Sequence, residues 1–221
     1  MSFQSVAIAD IQSTGPDLFT IRLDLGNTGL QKGHVSPGQF VQITVGDHKP
    51  GFFAIASAPS DRPTFEFLIK RSGGAAGAIV ALSVGDTVQC SDVMGKGFDL
   101  SGADRRPVVA IATGTGISAI RSVLESRQWD QCTLLYGARN QEQASYKECF
   151  SDWSDRGVEV VCTLSSPNAG WDGAKGHVQE LIRGRSFSSD AITLFCGQRE
   201  MVEDATKLLK ENSMSDFRGN F

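Results

Sequence analysis

The sequence predicts two domains: an antiparallel six-stranded β-barrel over residues 1–103 and an α/β domain with a parallel sheet over residues 104–221. Three observations predict this division. Short apolar or alternating runs separated by turns fill the first hundred residues. After them, apolar runs alternate with amphipathic stretches. Between the two patterns lies the polar stretch "SGADRRP", residues 101–107, which we expect to be the hinge.

Six runs make up the predicted barrel, and glycine–proline turns such as Gly15-Pro16 and Pro37-Gly38 separate them. The one interruption is "GGAAGAIVAL", residues 73–82, whose alanine-rich second half predicts a short helix. The runs are 5–12, 18–25, 38–45, 52–57, 64–70 and 86–93.

Four strand–helix units make up the predicted second domain. Such units give a parallel sheet with helices on both faces. The strand and helix of each unit are 108–113 with 117–127, 132–138 with 142–153, 158–165 with 176–184, and 191–197 with 200–213.

Composition excludes several classes of function. The 221 residues are 40% hydrophobic and carry a formal net charge of −4, which argues against disorder and against nucleic acid as a partner. No apolar stretch is long enough to span a membrane, and "MSFQSVAIADIQ" does not resemble a secretory signal. The five cysteines are widely spaced, so we expect reduced thiols and no metal site. An intracellular, soluble protein is predicted, cytoplasmic or plastid if a transit peptide was removed.

The turn "ATGTGIS", residues 112–118, carries the first candidate site. Ligands of parallel α/β sheets bind beyond the carboxyl ends of the strands, where Gly114 and Gly116 allow close backbone approach. A helix beginning near Ile117 offers free N–H groups that suit a pyrophosphate, and Thr113 and Thr115 add hydroxyls. The alternative is a turn that is glycine-rich for tight packing. No Gly-Lys-Ser/Thr follows, so it is not a Walker loop.

Other strand ends offer further candidates. Cys196 and Gly197 end the last strand of the α/β domain, where a thiol fits beside a flat ring or is simply buried. Arg139 follows Gly137 and either meets a phosphate or is solvated. In the barrel, alternation places Phe53, Ile55 and Ser57 on one face, so one of Phe52 and Phe53 belongs to the core while the other can stack on an aromatic ligand.

Several of these motifs occur in a known order. They are "PGQF" (37–40), "FFAIAS" (52–57), "GG" (73–74), "VGDTVQCSDVMGKGF" (84–98), "ATGTGIS" (112–118), "YGAR" (136–139), "CGQREM" (196–201) and the terminal Phe221. In this order and spacing the chain resembles the ferredoxin–NADP reductase superfamily, and most closely its small plant and algal reductase-like branch. The resemblance covers nearly the whole chain. It implies an FAD-binding barrel followed by a Rossmann-like NAD(P)-binding domain.

The resemblance also implies roles for individual residues. Cys196 would lie beside the nicotinamide, and Phe221 would cover the flavin face. Ser57, which shares a face with Phe53, would replace the hydroxyl of the family's serine near the reactive flavin nitrogen, and these three residues form the candidate catalytic set. Phe53 would pack on the isoalloxazine ring, and Lys70 with Arg71 would line the path to the phosphates. The implied cofactor-binding set is Phe53, Ala54, Ile55, Ala56, Ser57, Leu68, Ile69, Lys70, Gly74, Ala75, Ala76, Gly77, Thr113, Gly114, Thr115, Gly116, Ile117, Gly137, Arg139, Cys196, Gly197, Met201 and Phe221.

The flavin strand departs from the family's Arg-x-Tyr-Ser pattern, because Gly51 replaces the arginine and Ala54 the serine. Losing a charge-assisted contact costs about 1.5–3 kcal/mol, so FAD is expected to bind ten- to a hundredfold more weakly unless Arg71 or Lys49 substitutes. The choice between NADH and NADPH stays open: Ser166 stands where NADPH-specific members carry an arginine, while Arg139 can pair with a 2′-phosphate.

The function expected from the resemblance is an FAD-dependent NAD(P)H oxidoreductase that passes electrons to a separate acceptor. That acceptor is a ferredoxin-like or haem protein, a quinone or a small molecule. Three alternatives stay open: an electron-transfer subunit of a larger oxidoreductase, a reductase-fold protein that has lost flavin and acts as a nucleotide-binding or regulatory protein, and another kind of nucleotide-binding α/β protein. His34, His48 and His177 show no pattern of a catalytic triad.

Overall fold

The computed structural model describes residues 2–60 and 62–220, which form two six-stranded sheets. The first sheet contains β1 (Phe3–Ser13), β2 (Leu18–Asp24), β3 (Phe40–Thr44), β4 (Gly51–Ala54), β5 (Thr64–Lys70) and β6 (Thr87–Ser91). Every pair of neighbouring strands in it is antiparallel. The predicted short helix is α1 (Ala75–Ile79).

The first sheet curls into a nearly closed barrel with the strand order β4-β3-β6-β1-β2-β5. The Ala56 N–H, just beyond β4, donates to the Glu66 carbonyl on β5 at 2.7 Å and brings the two edge strands together. Alternation decides what fills the interior: Val6 and Ile8 on β1 and Ile21 and Leu23 on β2 are all buried. The predicted barrel is therefore confirmed.

The second sheet is entirely parallel, with the order β10-β9-β8-β7-β11-β12. Its strands are β7 (Val108–Thr113), β8 (Cys132–Ala138), β9 (Val158–Leu164), β10 (Ala174–Lys175), β11 (Ile192–Cys196) and β12 (Asp216–Arg218). The helices are α2 (Ile117–Leu124), α3 (Phe150–Asp155), α4 (Val178–Arg183) and α5 (Arg199–Glu211). Ala110 and Ala112 of β7 belong to the core cluster that contains α2, whereas Val109 and Ile111 belong to the one that contains α4 and α5. The helices therefore cover both faces, as the sequence predicts.

Two details differ from the sequence expectation. The stretch 142–153 was expected to be helical throughout, but α3 begins only at Phe150, after a 3₁₀ turn at Lys147–Cys149. Tyr146 has a φ of 59°, a left-handed conformation that cannot lie within an α-helix. The short edge strands β10 and β12 were not expected, because two or three residues are too few to show a period.

An apolar border joins the two halves. The cluster around α2 also contains Leu18, Ala56 and Leu68 from the barrel, together with Phe98 from the segment that follows it. One core is thus continuous from the barrel into the parallel sheet. No helix among residues 2–60 and 62–220 is long and apolar enough to cross a membrane.

Candidate functional site

The carboxyl ends of β7 and β11 form the centre of the candidate site. These two strands are neighbours at the point where the strand order reverses, and Cys196 pairs with Ala112 in register. The turns that follow them touch: a Cβ on Gly116 would collide with the Cys196 carbonyl oxygen, and one on Gly197 would collide with the Thr113 hydroxyl. Both glycines are needed for this close approach.

Two buried hydroxyls at this turn have no hydrogen-bond partner among the described residues. They belong to Thr113 and Ser118, and both residues line the adjoining cleft. An unpaired buried hydroxyl is costly unless a ligand satisfies it. Gly114 adds open backbone, with a φ of 53° and nothing within 4 Å of its would-be Cβ. The residues present therefore fit the phosphate-bearing part of a nucleotide.

Tyr136 of β8 contacts this turn through its hydroxyl group. Its phenol donates to the Gly114 carbonyl oxygen at 3.4 Å and accepts the Ser145 N–H at 3.1 Å. Burial raises the pKa of Tyr136 to about 12, so the phenol keeps its proton at neutral pH and can donate. This contact couples β8 to the Gly114–Gly116 turn.

The barrel supplies the opposite wall through β4, β5 and the start of α1. Phe52 is 64% exposed, and its ring meets Phe40 edge-to-face at 5.8 Å. Phe53 instead packs against the barrel core, with its ring leaning over Gly51. Gly74 has a φ of 69° and opens α1 with free space around it.

Both walls face one cleft of about 1280 Å³. That volume exceeds the roughly 300–1,000 Å³ typical of a site for one small ligand, so it leaves space for more than one cofactor group. Most of the implied cofactor-binding residues line it: Phe53, Ala54, Leu68, Ile69, Lys70, Gly74, Ala75, Ala76, Thr113, Gly114, Thr115, Gly116, Gly137, Arg139, Cys196, Gly197 and Met201.

The other implied residues lie elsewhere. Ile55, Ala56 and Ile117 are fully buried in the core and do not line the cleft. Ser57 lies at the border of the two halves, where its hydroxyl accepts the Glu66 N–H at 3.3 Å. Gly77 packs against the Ser72 carbonyl. Phe221 lies outside the described residues.

The thiol of Cys196 is neutral in this setting. Burial raises the pKa of Cys196 to about 11, so the thiolate is scarcely populated near pH 7. A neutral thiol is not a strong nucleophile, but it can lie against an uncharged ring without electrostatic cost. The geometry supports a packing role at the cleft, as the resemblance implies.

Several lining residues were missed or treated as unimportant in the sequence. Ser118 lines the cleft, whereas the sequence analysis assigns Ile117 to the site. Both residues belong to the first turn of α2, where either side chain could face a ligand. His177, expected to have no catalytic role, lines the cleft together with Gln143 and Ser165. The signal that could have found His177 is its place at the start of a helix after a strand.

Comparison with known proteins agrees with this architecture. The model of the oxidoreductase NAD-binding domain family matches residues 110–207. Fruit protein pKIWI502 of Actinidia deliciosa is 33% identical over 93% of this chain and 72% of its own. Ferredoxin–NADP reductase B of Sorangium cellulosum is 30% identical over 78% of each chain. The chain belongs to the ferredoxin–NADP reductase superfamily.

A solved member of the superfamily has the same fold. The ferredoxin NADP⁺ reductase of Neisseria gonorrhoeae, determined with bound FAD and NADP, covers all of this chain with a TM-score of 0.83 and 17% identity. The superfamily binds FAD and NAD(P)H. Two other relatives are, by name, the reductase component of a terephthalate dioxygenase and a probable electron-transfer subunit of a dihydroorotate dehydrogenase.

Proposed function

We propose that this protein is an FAD-dependent NAD(P)H oxidoreductase that delivers electrons to a separate acceptor. Residues 1–103 would form the FAD-binding domain and residues 104–221 the NAD(P)-binding domain. The carrying observation is the shared cleft, in which Phe53 and Gly74 of the barrel lie opposite Gly116 and Cys196 of the parallel sheet.

The chemistry comes from the bound cofactors, which exchange a hydride between nicotinamide and flavin. The chain's residues bind, orient and shield. Gly114 leaves its backbone open, Thr113 and Ser118 offer hydroxyls without a partner among the described residues, and Cys196 lines the same cleft. Holding two reacting groups in one geometry accounts for most of what such a site must supply.

The acceptor is proposed to be a separate ferredoxin-like or haem protein, a quinone or a small molecule. Relatives named as an electron-transfer subunit or a reductase component support transfer to a partner. The five cysteines of the sequence are scattered, so they supply no ligand set for an iron–sulfur cluster at a usual spacing.

The test is the visible absorption spectrum of the purified protein after FAD is added and the excess removed. A retained flavin spectrum that bleaches anaerobically with NADPH or NADH is the expected result, and the faster nucleotide identifies the donor. A protein that stays colourless with FAD in excess would overturn the proposal and favour a nucleotide-binding role without flavin.

Two glycine variants make this test specific for the cleft. Gly116→Val places a side chain into the Cys196 carbonyl, so it should keep the flavin spectrum but bleach only at higher nucleotide concentration. Gly184→Ala is the control, because its Cβ position meets only the Glu180 carbonyl oxygen at 3.6 Å and Gly184 does not line the cleft. Equal bleaching of both variants would contradict the assignment of the Gly116 turn.

A further inference from the structure

Position 51 lies in the wall of the cleft that β4, β5 and the start of α1 form. The superfamily pattern has an arginine there, and this chain has Gly51. A Cβ on Gly51 would lie 2.9 Å from Cε2 and 3.0 Å from Cζ of Phe53, closer than side chains pack. The Phe53 ring fills the space in which a side chain at 51 would begin, and with glycine there this wall has no cation at position 51.

Three basic residues lie near this wall, and the structure distinguishes them. Arg71 is directed away, with its guanidinium 4.7 Å above the Phe19 ring, and it does not line the cleft. Lys70 lines the cleft, but its ammonium pairs with Asp17 at 3.3 Å. Lys49 lines the cleft and has no carboxylate within 4 Å among residues 2–60 and 62–220.

Lys49 lies two residues before Gly51, and the neighbouring Pro50 favours an extended conformation at Lys49. Position 51 adjoins the start of α1, because its would-be Cβ lies 3.6 Å from the Ala75 Cβ. Lys49 and the segment 73–76 line the same cleft.

We propose that Lys49 is the cation that binds the phosphate of the flavin cofactor, in place of the missing arginine. This rests on the proposed function, since it assigns a residue to the flavin site. An ammonium is a compact point charge without the bidentate geometry of guanidinium. It would therefore recognise the phosphate of FMN or FAD by charge, with little demand on orientation.

The test compares three flavins that differ in phosphate content. Riboflavin, FMN and FAD are titrated into apo-protein and followed by quenching of flavin fluorescence. Lys49→Ala should weaken FMN and FAD about tenfold and leave riboflavin unchanged. Lys49→Arg should restore most of the loss. Arg71→Ala is the matched control and should bind all three flavins as the unaltered protein does.

The outcomes separate this inference from the proposed function. If the unaltered protein binds none of the flavins, both fail. If it binds FAD and Lys49→Ala binds FAD equally well, or loses riboflavin to the same extent, the role of Lys49 alone is overturned. The salt dependence of FAD affinity is a second test that needs no riboflavin titration. FAD affinity should fall less steeply with salt in Lys49→Ala than in the unaltered protein, and an unchanged slope would contradict the proposal.

Discussion

The border between the two halves has a packed side and an open side. On the packed side the Ser122 hydroxyl donates to the Ser57 carbonyl at 2.9 Å. Next to it the Arg121 guanidinium pairs with Glu66 and, at 2.8 Å, with Glu125. The same guanidinium stacks 4.6 Å above the Tyr146 ring. On the open side Gly74 and Gly114 face empty space.

The difference shows how the two requirements of the site are divided. Large paired side chains on one side fix the position of the barrel relative to the parallel sheet. Glycines and small side chains on the other side leave room for flat and phosphate-bearing groups. A substitution on the packed side should therefore act on stability, and one on the open side on ligand binding.

The largest expected effect is on the packed side, at Arg121. Its side chain is 13% exposed, and Glu66 opposite is 14% exposed. Burial by itself lowers the pKa of Arg121, but Glu66, Tyr146 and Glu125 outweigh it and raise the pKa overall. Removing one partner of a buried pair leaves an uncompensated charge, so Arg121→Ala should lower the free energy of unfolding by about 3–5 kcal/mol.

Denaturant unfolding measures this loss, and Arg183→Ala is its control. Arg183 pairs with Glu180 on α4, but its side chain is 54% exposed and the pair should contribute little. Equal losses in the two variants would mean that the border is not fixed by its buried charges.

A smaller effect is expected on the open side, at Gly116. Gly116→Ala forces its methyl group into the Cys196 carbonyl, so the two turns must separate. NAD(P)H should bind about tenfold more weakly, which corresponds to roughly 1.4 kcal/mol, while FAD binding is unchanged. Isothermal titration with each cofactor checks this, and loss of both affinities would show that the two walls are not independent.

The third prediction concerns the hydroxyls of Thr113 and Ser118: removing them should not lower stability but should lower nucleotide affinity. Ser118→Ala and Thr113→Val remove buried groups without described partners, so the free protein should be as stable or more stable. Nucleotide affinity should fall by roughly two- to tenfold if the hydroxyls contact the ligand. Thr193→Val is the control: the Thr193 hydroxyl is also buried and unpaired among the described residues, but it does not line the cleft. An equal loss of affinity in Thr193→Val would contradict the site.

The smallest effect concerns the protonation of Cys196. Because burial raises its pKa to about 11, carbamidomethylation should be slow near pH 7 and accelerate only as the pH approaches 11. Peptide mass spectrometry across pH 7–11 follows this, and the protein unfolded in urea should show the ordinary thiol inflection near 8.5. A folded-state inflection near 8.5 would show that the cleft thiol is solvated like a free one.

Individual residues show which features of the fold and the site can be predicted from the sequence. The strands could be predicted because alternation is local: the burial of Val6 and Ile8 follows from their spacing alone. The break before α3 could not, because the left-handed Tyr146 is held by a buried ring under the Arg121 guanidinium, a contact between distant residues. In the site, Ile117 was expected to contact the nucleotide, but it is buried in the core, and Ser118 lines the cleft instead. The sequence could not predict this, since the direction in which a helix presents each side chain depends on what the helix packs against.

Local periodicity and the order of the motifs were enough to predict the two sheets, the glycine turns at the strand ends and the family of the chain. The folded structure was needed to show that the turns after β7 and β11 and the start of α1 line one cleft. It was also needed to show that Lys49 lines that cleft while Arg71 lies on Phe19. A side chain's direction and its charge partner are set by packing between distant segments, and no local pattern of residues encodes that packing.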